Sequence, residues 1–181
     1  MILGILAAAT AALVAWAATQ QVRAANLYDG TEAEQVALDV IARVVRNAGA
    51  GGGPALWQVA PDRLVLCGVW WRGRVVRGQV VRDESGRLVL APAPPAAGGS
   101  CSGQDLDRPI LLVPEARFAG LTFSAGAWDG AAPPRRCGGT GEGPCRGIAG
   151  VSVRVVAPGP GAGSAGAAAG TQGYVALRNP G

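Results

Sequence analysis

The first nineteen residues of the chain carry no charged side chain. The segment from Met1 to Thr19 is apolar on every face of a helix, a pattern typical of helices that lie in lipid or inside a helical assembly. At 1.5 Å per residue such a helix would be about 28 Å long, close to the hydrocarbon thickness of a bilayer. We therefore expect residues 1–28 to form a hydrophobic N-terminal helix that crosses a membrane once.

A second helical segment follows the apolar one. The pair Asp29-Gly30 favours a turn, so we expect an irregularity there, and Thr31 and Glu34 have the spacing of a capping box that restarts the helix. Apolar residues then recur at the spacing of one helix face: Ala33, Val36, Ala37, Val40, Ile41, Val44, Val45 and Ala48. The sequence predicts an amphipathic helix over 31–48, ended by Gly49. We expect this apolar face to pack on the sheet of the same chain, on neighbouring subunits, or on both, with different parts of the helix surface making the two contacts.

The pattern changes to that of β-structure over 55–181. Branched and aromatic residues predict strands at 63–71, 75–82, 87–90, 118–123, 150–156 and 174–178, with hairpin turns at 72–74 and 83–86. A short apolar run stands at 110–113. Gly- and Pro-rich stretches predict loops at 91–107, 129–147 and 157–173. We expect an α+β fold in which a long N-terminal helix packs on four to six mostly antiparallel strands, with one globular domain over 29–181.

The composition excludes several kinds of chemistry. The chain has 181 residues, with 16 Arg, no Lys, no His and a net charge of +4. Without His there is no Ser-His-Asp triad, no Cys-His dyad and no His-bound metal, and the carboxylates form no recognisable catalytic pair. The Gly-rich segment 138–143 lacks the Lys and the following helix of a phosphate-binding loop. We therefore expect a protein that is not an enzyme and that has no cofactor and no metal site.

The four cysteines all follow the apolar segment: Cys67, Cys101, Cys137 and Cys145. They are separated by 33, 35 and 7 residues. This is not the paired close spacing of a zinc site, so disulfides are favoured over metal binding. Four cysteines allow three pairings. The short Gly-rich loop favours Cys137 with Cys145, because its closure costs little entropy, and this leaves Cys67 to pair with Cys101.

Arginines cluster around two predicted hairpin turns beside two tryptophans: Trp70, Trp71, Arg72, Arg74, Arg77, Arg82 and Arg87. Because arginines with exposed aromatic side chains can bind single strands, Arg72, Arg74 and Trp71 are candidate nucleic-acid contacts. The alternative is a solvated edge with one Trp in the core, since neighbouring residues of a strand face opposite sides. The scattered positive charge is a weak argument for a nucleic-acid partner.

Three parts of the sequence together resemble a known family. Ile-Leu-Gly-Ile-Leu-Ala-Ala at 2–8 is followed at 34–49 by an amphipathic run that ends in Arg-Asn-Ala-Gly, and β-type segments stand at 108–123, 150–156 and 175–180. They are similar to the N-terminal helix, the helix end and the C-terminal strands of type IV minor pilins and type II secretion pseudopilins, above all the PilW/PulJ-like group. The family's basic leader, cleavage site and following Glu have no counterpart here, so no residue is assigned to their roles.

The resemblance implies a structural, non-enzymatic subunit of a type IV pilus or pseudopilus that primes assembly or sits at the tip. The N-terminal helix would hold the subunit in the inner membrane with its globular domain in the periplasm. It would then pack against other pilin or pseudopilin subunits in the filament. Two alternatives stay open. One is an exported β-rich protein whose signal peptide is cleaved near Ala15-Trp16-Ala17. The other is a DNA-binding competence pilin.

Overall fold

The computed structural model describes residues 30–95, 101–114, 116–125, 145, 148–158 and 170–177. Within them one helix, α1, covers residues 30–46. Nine strands follow: β1 Leu56–Ala60, β2 Arg63–Trp71, β3 Arg74–Arg82, β4 Leu88–Pro92, β5 Gln104–Asp105, β6 Ile110–Leu111, β7 Gly120–Ala125, β8 Gly150–Val156 and β9 Thr171–Ala176. The described chain is therefore predominantly β.

The strands form two sheets. The larger sheet has the order β1-β2-β3-β4-β6, with β5 paired to β3, and the smaller sheet has the order β7-β8-β9. Every pairing is antiparallel except β3 with β5, which is parallel. Along β3, β4 pairs with residues 78–82 and leaves the edge at Val76 and Arg77 open. β5 pairs with β3 at these two residues. This short strand later forms one wall of the candidate site.

The expected fold, a long N-terminal helix packed on an antiparallel sheet, is wrong for the described chain. One short helix accompanies nine strands, not four to six. β5 accounts for part of the difference, because it lies in a segment rich in Gly and Pro whose pattern favours loops, and long-range pairing with β3 makes it a strand. The other additional strands are short: β1 forms a hairpin with β2, and β6 pairs with β4. The predicted hydrophobic helix over 1–28 and the irregularity at Asp29 lie outside the described residues.

The predicted single-pass placement in the inner membrane is contradicted as well. In the part of the chain that the structure describes, no helix combines the length and the apolar character needed to span a bilayer. α1 has an apolar face that the strands cover, and its other face exposes charged residues such as Glu32, Asp39 and Arg43. The candidate cleavage site at 15–17 lies outside the described residues.

α1 packs on the strands through the predicted stripe, of which Ala37, Ile41, Val44, Val45 and Ala48 are buried. Val36 was expected on the same face but is 44% exposed. The contact face is rotated toward Leu38, which packs over β9: a methyl group built on Gly173 would lie 3.3 Å from the Leu38 side chain. The regular helix ends at residue 46, two residues earlier than predicted, and a turn leads into Gly49, whose φ is +85°.

Glu34 is the one buried charged residue among those described. Its carboxylate accepts hydrogen bonds from the backbone N–H of Ala157 at 2.6 Å, the backbone N–H of Thr171 at 3.1 Å, and the Thr171 hydroxyl. Three donors compensate for the loss of water around the charge. The side chain that the sequence assigned to a capping box therefore ties α1 to the end of β8 and the start of β9.

Two apolar clusters stabilise the fold. The main core lies between α1 and the two sheets, and β2 contributes Leu64, Leu66 and Val69 to it. A smaller cluster on the other face of β2 contains Trp57, Val65, Cys67 and Cys101. A bulge shifts the register of β2 between Leu66 and Val69. Because of the bulge, both of these side chains reach the main core although three positions separate them, whereas side chains normally alternate between faces.

The end of α1 is docked on that bulge, at a place we call the helix–bulge junction (residues 47–50, 67, 68 and 102). Gly49 and Ala50 donate their N–H groups to the carbonyls of Cys67 and Gly68 at 2.9 and 2.8 Å, and the N–H of Gly68 donates to Ser102 at 2.7 Å. The N–H of Trp70 donates to the carbonyl of Asn47 at 3.0 Å. Gly68 has φ +58°, and a Cβ atom built on it would lie 2.2 Å from the Ala50 carbonyl oxygen. Only glycine fits this approach of two backbones.

A disulfide between Cys67 and Cys101 closes the junction, as the sequence predicted. Both cysteines are buried, and their Cα atoms are 4.9 Å apart. Cys145 is also disulfide-bonded. Its predicted partner, Cys137, lies outside the described residues.

Candidate functional site at the tip of the β2–β3 hairpin

A two-residue turn connects β2 and β3. Trp71 pairs with Arg74, and the residues between them, Arg72 and Gly73, have φ values of +47° and +80°. Two consecutive positive φ angles are the signature of a type I′ turn, whose twist matches that of the flanking strands. Among the described residues, Arg72 is the only one other than glycine with a positive φ. The turn predicted at 72–74 is therefore present, with Arg at a position that Asn, Asp or Gly usually occupies.

A groove of about 630 Å³ lies beside this turn, and we call it the tip groove. Its floor is apolar and continuous with the main core, formed by Trp71, Val76, Leu106 and Ile110. Its rim is charged and polar, formed by Arg72, Arg74, Gln104, Asp105, Asp107 and Arg108. A second depression of about 790 Å³ borders the same turn, with Val75 in its lining in place of Val76. Val75 and Val76 are neighbours in β3, so the two depressions lie on opposite faces of the hairpin.

The second depression is lined mainly by glycine and small side chains: Gly51, Gly73, Arg74, Val75, Ser102, Gly103 and Gln104. The Ser102 hydroxyl oxygen is buried there and has no hydrogen-bond partner among the described residues. Arg74 and Gln104 line both depressions. Arg74 is therefore the cation that borders both depressions at the hairpin tip.

An ion pair between Arg77 and Asp105 holds the wall of the tip groove in place. The guanidinium donates through Nε to Oδ1 and through Nη2 to Oδ2, the latter at 2.6 Å, so the pair is bidentate. The hydrogen bonds from Arg77 lower the pKa of Asp105, and the same contact raises the pKa of Arg77. Because Asp105 belongs to β5 and Arg77 to β3, the ion pair supports the parallel pairing of these strands.

The other arginines of the predicted cluster are divided between bound and exposed ones. Arg82 donates to the carbonyl of Phe118 at 3.3 Å, and Arg87 forms an ion pair with Asp83 at 2.9 Å. The backbone N–H of Arg87 is the main cause of a lowered pKa of Asp83, with its side chain adding to the effect. Arg72 and Arg74 are exposed and form no ion pair within the described part of the chain. These two are the cations available to a ligand or partner.

The two tryptophans lie in different environments. Trp70 is 55% exposed, whereas Trp71 is partly buried and packs on the main core. Neighbouring strand residues face opposite sides, so the exposed ring and the tip groove lie on different faces of the hairpin. The structure brings Trp71, Arg72 and Arg74 together at one groove. Stacking on a base requires an exposed indole, however, and the exposed indole is that of Trp70.

One wall of the groove was missed by the sequence analysis, which assigned 91–107 to a loop without a role. Gln104, Asp105 and Leu106 reach the groove because β5 pairs with β3. The only local signal is the alternation of charged and apolar residues in Asp-Leu-Asp-Arg at 105–108. Two residues of strand are too few for that signal to predict pairing.

Among the described residues no group of three or more His, Cys, Asp or Glu side chains is placed to hold a metal ion. Comparisons of the chain with protein-family models, with curated proteins and with solved structures found no match.

Proposed function

We propose that the chain is a non-enzymatic subunit of a type IV pilus or type II secretion pseudopilus, of the minor pilin kind. The observation that carries the proposal is the anchoring of segment 34–49, the stretch that resembles the helix end of that family. This segment is tied to the β-structure at both ends and is buried along one face between them. A filament subunit needs such a rigid joint, because forces between neighbours pass through the helix into the globular part.

The first tie lies near the start of α1. The buried carboxylate of Glu34 accepts hydrogen bonds from Ala157 and from Thr171. Hydrogen bonds to a charged acceptor contribute about 1.5–3 kcal/mol each, more than bonds between neutral groups. This contact joins the helix to the smaller sheet.

The second tie is the helix–bulge junction. Backbone hydrogen bonds connect residues 47, 49 and 50 to β2, and the Cys67–Cys101 disulfide fixes the same part of β2 to the segment that follows residue 100. This contact joins the helix to the larger sheet. With one tie to each sheet and Ile41, Val44 and Val45 buried between them, α1 cannot turn or slide without breaking the core.

The geometry gives less support to a nucleic-acid role. Trp71, the candidate aromatic contact, packs on the main core. The groove beside Arg72 and Arg74 has an apolar floor that includes Leu106 and Ile110, so only its rim could contact a phosphate backbone. A protein partner with both apolar and charged groups fits this mixed surface better.

Association with filaments is the direct test. The gene is deleted in the organism that encodes the chain and is complemented with an epitope-tagged copy. We expect the tagged chain to co-purify with sheared surface filaments or an overproduced pseudopilus, and the deletion strain to lose filaments or filament-dependent secretion. A tagged Arg117→Glu variant, altered at an exposed arginine outside the groove, should complement as well as the original chain. Normal filaments and secretion in the deletion strain would contradict the proposal.

A further inference from the structure

A second surface of the molecule complements the tip groove. On the exposed side of α1, Glu32, Val36, Asp39 and Arg43 follow one another at intervals of four, three and four residues, which places them on one face of the helix. We call this face the outer stripe. Val36 is one of three large apolar side chains that are exposed among the described residues, together with Trp70 and Leu111. The outer stripe thus presents an apolar side chain between two carboxylates.

The tip groove has the opposite arrangement. Trp71, Leu106 and Ile110 form an apolar floor, and Arg72, Arg74 and Arg108 stand on the rim. Of the two carboxylates in the groove, Asp105 is already paired with Arg77, so the cations on the rim outnumber the remaining carboxylate of Asp107. The rim therefore attracts an acidic surface, and the floor offers a place for an apolar side chain at its centre.

We infer that the tip groove of one copy of the chain receives the outer stripe of α1 from a second copy. Val36 lies on the apolar floor, and Glu32 and Asp39 pair with arginines of the rim. The inference deepens the proposed function and rests on it, since it names the contact between neighbouring subunits. The same chain cannot fill its own groove in this way, because Val36 is exposed in the folded monomer.

The contact joins two different surfaces, so each copy in a pair keeps one unused groove or one unused stripe. Such head-to-tail contacts continue into a ring or an open filament, unlike the closed pairing of a two-fold dimer. Exposed ion pairs each contribute little, so a single contact is weak on its own. In an assembly held by further contacts, a weak contact is strengthened because the second binding event is intramolecular.

Charge reversal on the two surfaces tests the inference. Arg72→Glu/Arg74→Glu makes the groove rim acidic, and Glu32→Arg/Asp39→Arg makes the outer stripe basic. The full chain and both variants are compared by sedimentation over a concentration series, in one low-salt buffer with one mild detergent. The apolar segment 1–19 is common to all samples, so differences between them report on the charges. Circular dichroism and thermal unfolding establish that each variant is folded.

We expect the original chain to self-associate and each variant alone to associate at least about tenfold more weakly, because like charges then face each other. An equimolar mixture of the two variants should regain the association, since every groove then has a stripe of opposite charge. Arg117→Glu changes the net charge without touching either surface and should associate like the original chain. Added salt should weaken the association of the original chain and of the mixture.

Several outcomes would overturn the inference: an original chain that stays monomeric, variants that associate as the original does, or a mixture that does not recover. A single-stranded oligonucleotide is titrated in parallel. If it binds and Arg72→Glu/Arg74→Glu abolishes its binding while self-association is unchanged, the groove is a nucleic-acid site instead.

If the chain is found in filaments but charge reversal has no effect, only the copy-to-copy contact fails. If charge reversal acts as expected but the chain is absent from filaments, the proposed function fails and the contact stands.

Discussion

Two parts of the β2–β3 hairpin lie a few residues apart and are built in opposite ways. At the helix–bulge junction Cys67 and Gly68 are enclosed, their backbone groups are hydrogen-bonded to α1 and to Ser102, and a disulfide closes the site. At the hairpin tip Arg72 and Arg74 are exposed and form no ion pair among the described residues. One hairpin therefore provides the rigid joint of the molecule in β2 and its charged surface at the turn.

Both places use a backbone conformation that side chains disfavour, and they use it differently. At Gly68 a positive φ lets two backbones approach so closely that no Cβ atom fits. At Arg72 a positive φ forms the turn, and a large side chain is retained there. A residue with a Cβ atom pays a conformational cost in this region of φ. Positive φ alone therefore does not make a position intolerant of side chains, because the space around the Cβ atom also matters.

The largest effect is expected at Gly68. Gly68→Ala places a methyl group against the Ala50 carbonyl oxygen and adds strain at φ +58°, so it should lower the free energy of unfolding by about 4 kcal/mol or more. Gly73→Ala is the matched control, since its φ is +80° and no described atom lies within 4 Å of the added methyl group. It should cost only the strain, about 1–2 kcal/mol. Urea unfolding measures both, and equal losses would show that close approach is not what restricts Gly68.

The next largest effect is expected from the disulfide. Cys67→Ala/Cys101→Ala opens a loop with a sequence separation of 34 residues. By the chain-entropy estimate this costs about 3–4 kcal/mol. Chemical unfolding under oxidising conditions, which keep the other disulfide intact, measures the loss. A change below about 1 kcal/mol would mean that the hydrogen bonds of the junction suffice without the disulfide.

A smaller effect, dependent on pH, is expected at Asp105. The hydrogen bonds from Arg77 lower the pKa of Asp105 in the folded state. In the unfolded chain the pKa of an Asp side chain is about 3.9. The stability from this ion pair is therefore fully present above that pH and is lost as the pH falls through the lower, folded-state pKa. Thermal melts should show the original chain more stable than Asp105→Asn at neutral pH, with the gap narrowing below about pH 4.

Asp107→Asn is the control for this prediction. It removes a carboxylate from the same groove, and within the described residues that carboxylate forms no ion pair. A gap between the original chain and Asp105→Asn that stays constant down to pH 2 would contradict the assignment of the effect to the Arg77–Asp105 pair.

The smallest effect is expected at the turn, and it has the opposite sign. Asn adopts positive φ more readily than Arg, so Arg72→Asn should stabilise the fold by about 0.5 kcal/mol. Arg74→Asn lies in β3 and should give no such gain. If Arg72→Asn is destabilising, the side chain of Arg72 contributes to the fold as well as to the charged rim. Thermal unfolding of the two variants side by side decides this.

The local elements were largely predictable because their signals are local. Branched residues at 63–71 and 150–156 predicted β2 and β8 with the bounds that the structure has. The turn at 72–73 and the helix end near Gly49 followed from glycine at positions that need positive φ. The Cys67–Cys101 pairing followed from elimination once the short loop was assigned to the other two cysteines.

Non-local contacts were not predictable in the same way. The periodicity that placed Val36 on the buried face describes an ideal helix, but the packing of Leu38 over Gly173 rotates the contact face away from it. Thr31 and Glu34 fit a capping box, but the Glu34 carboxylate accepts hydrogen bonds from three donors on two residues that lie more than 120 positions later in the chain. No window of local sequence contains these partners.

The sequence alone predicts most of the longer strands, the tight turn and, to within two residues, the end of the helix, and its lack of His excludes His-dependent chemistry. These properties depend on backbone preferences and side-chain periodicity within a few residues. It takes the folded molecule to show that β5 joins β3, that the tip groove has an apolar floor and a charged rim, and that Val36 is left exposed. Each of these depends on which distant segment arrives at a given edge or face, and that is set by the packing of the whole core.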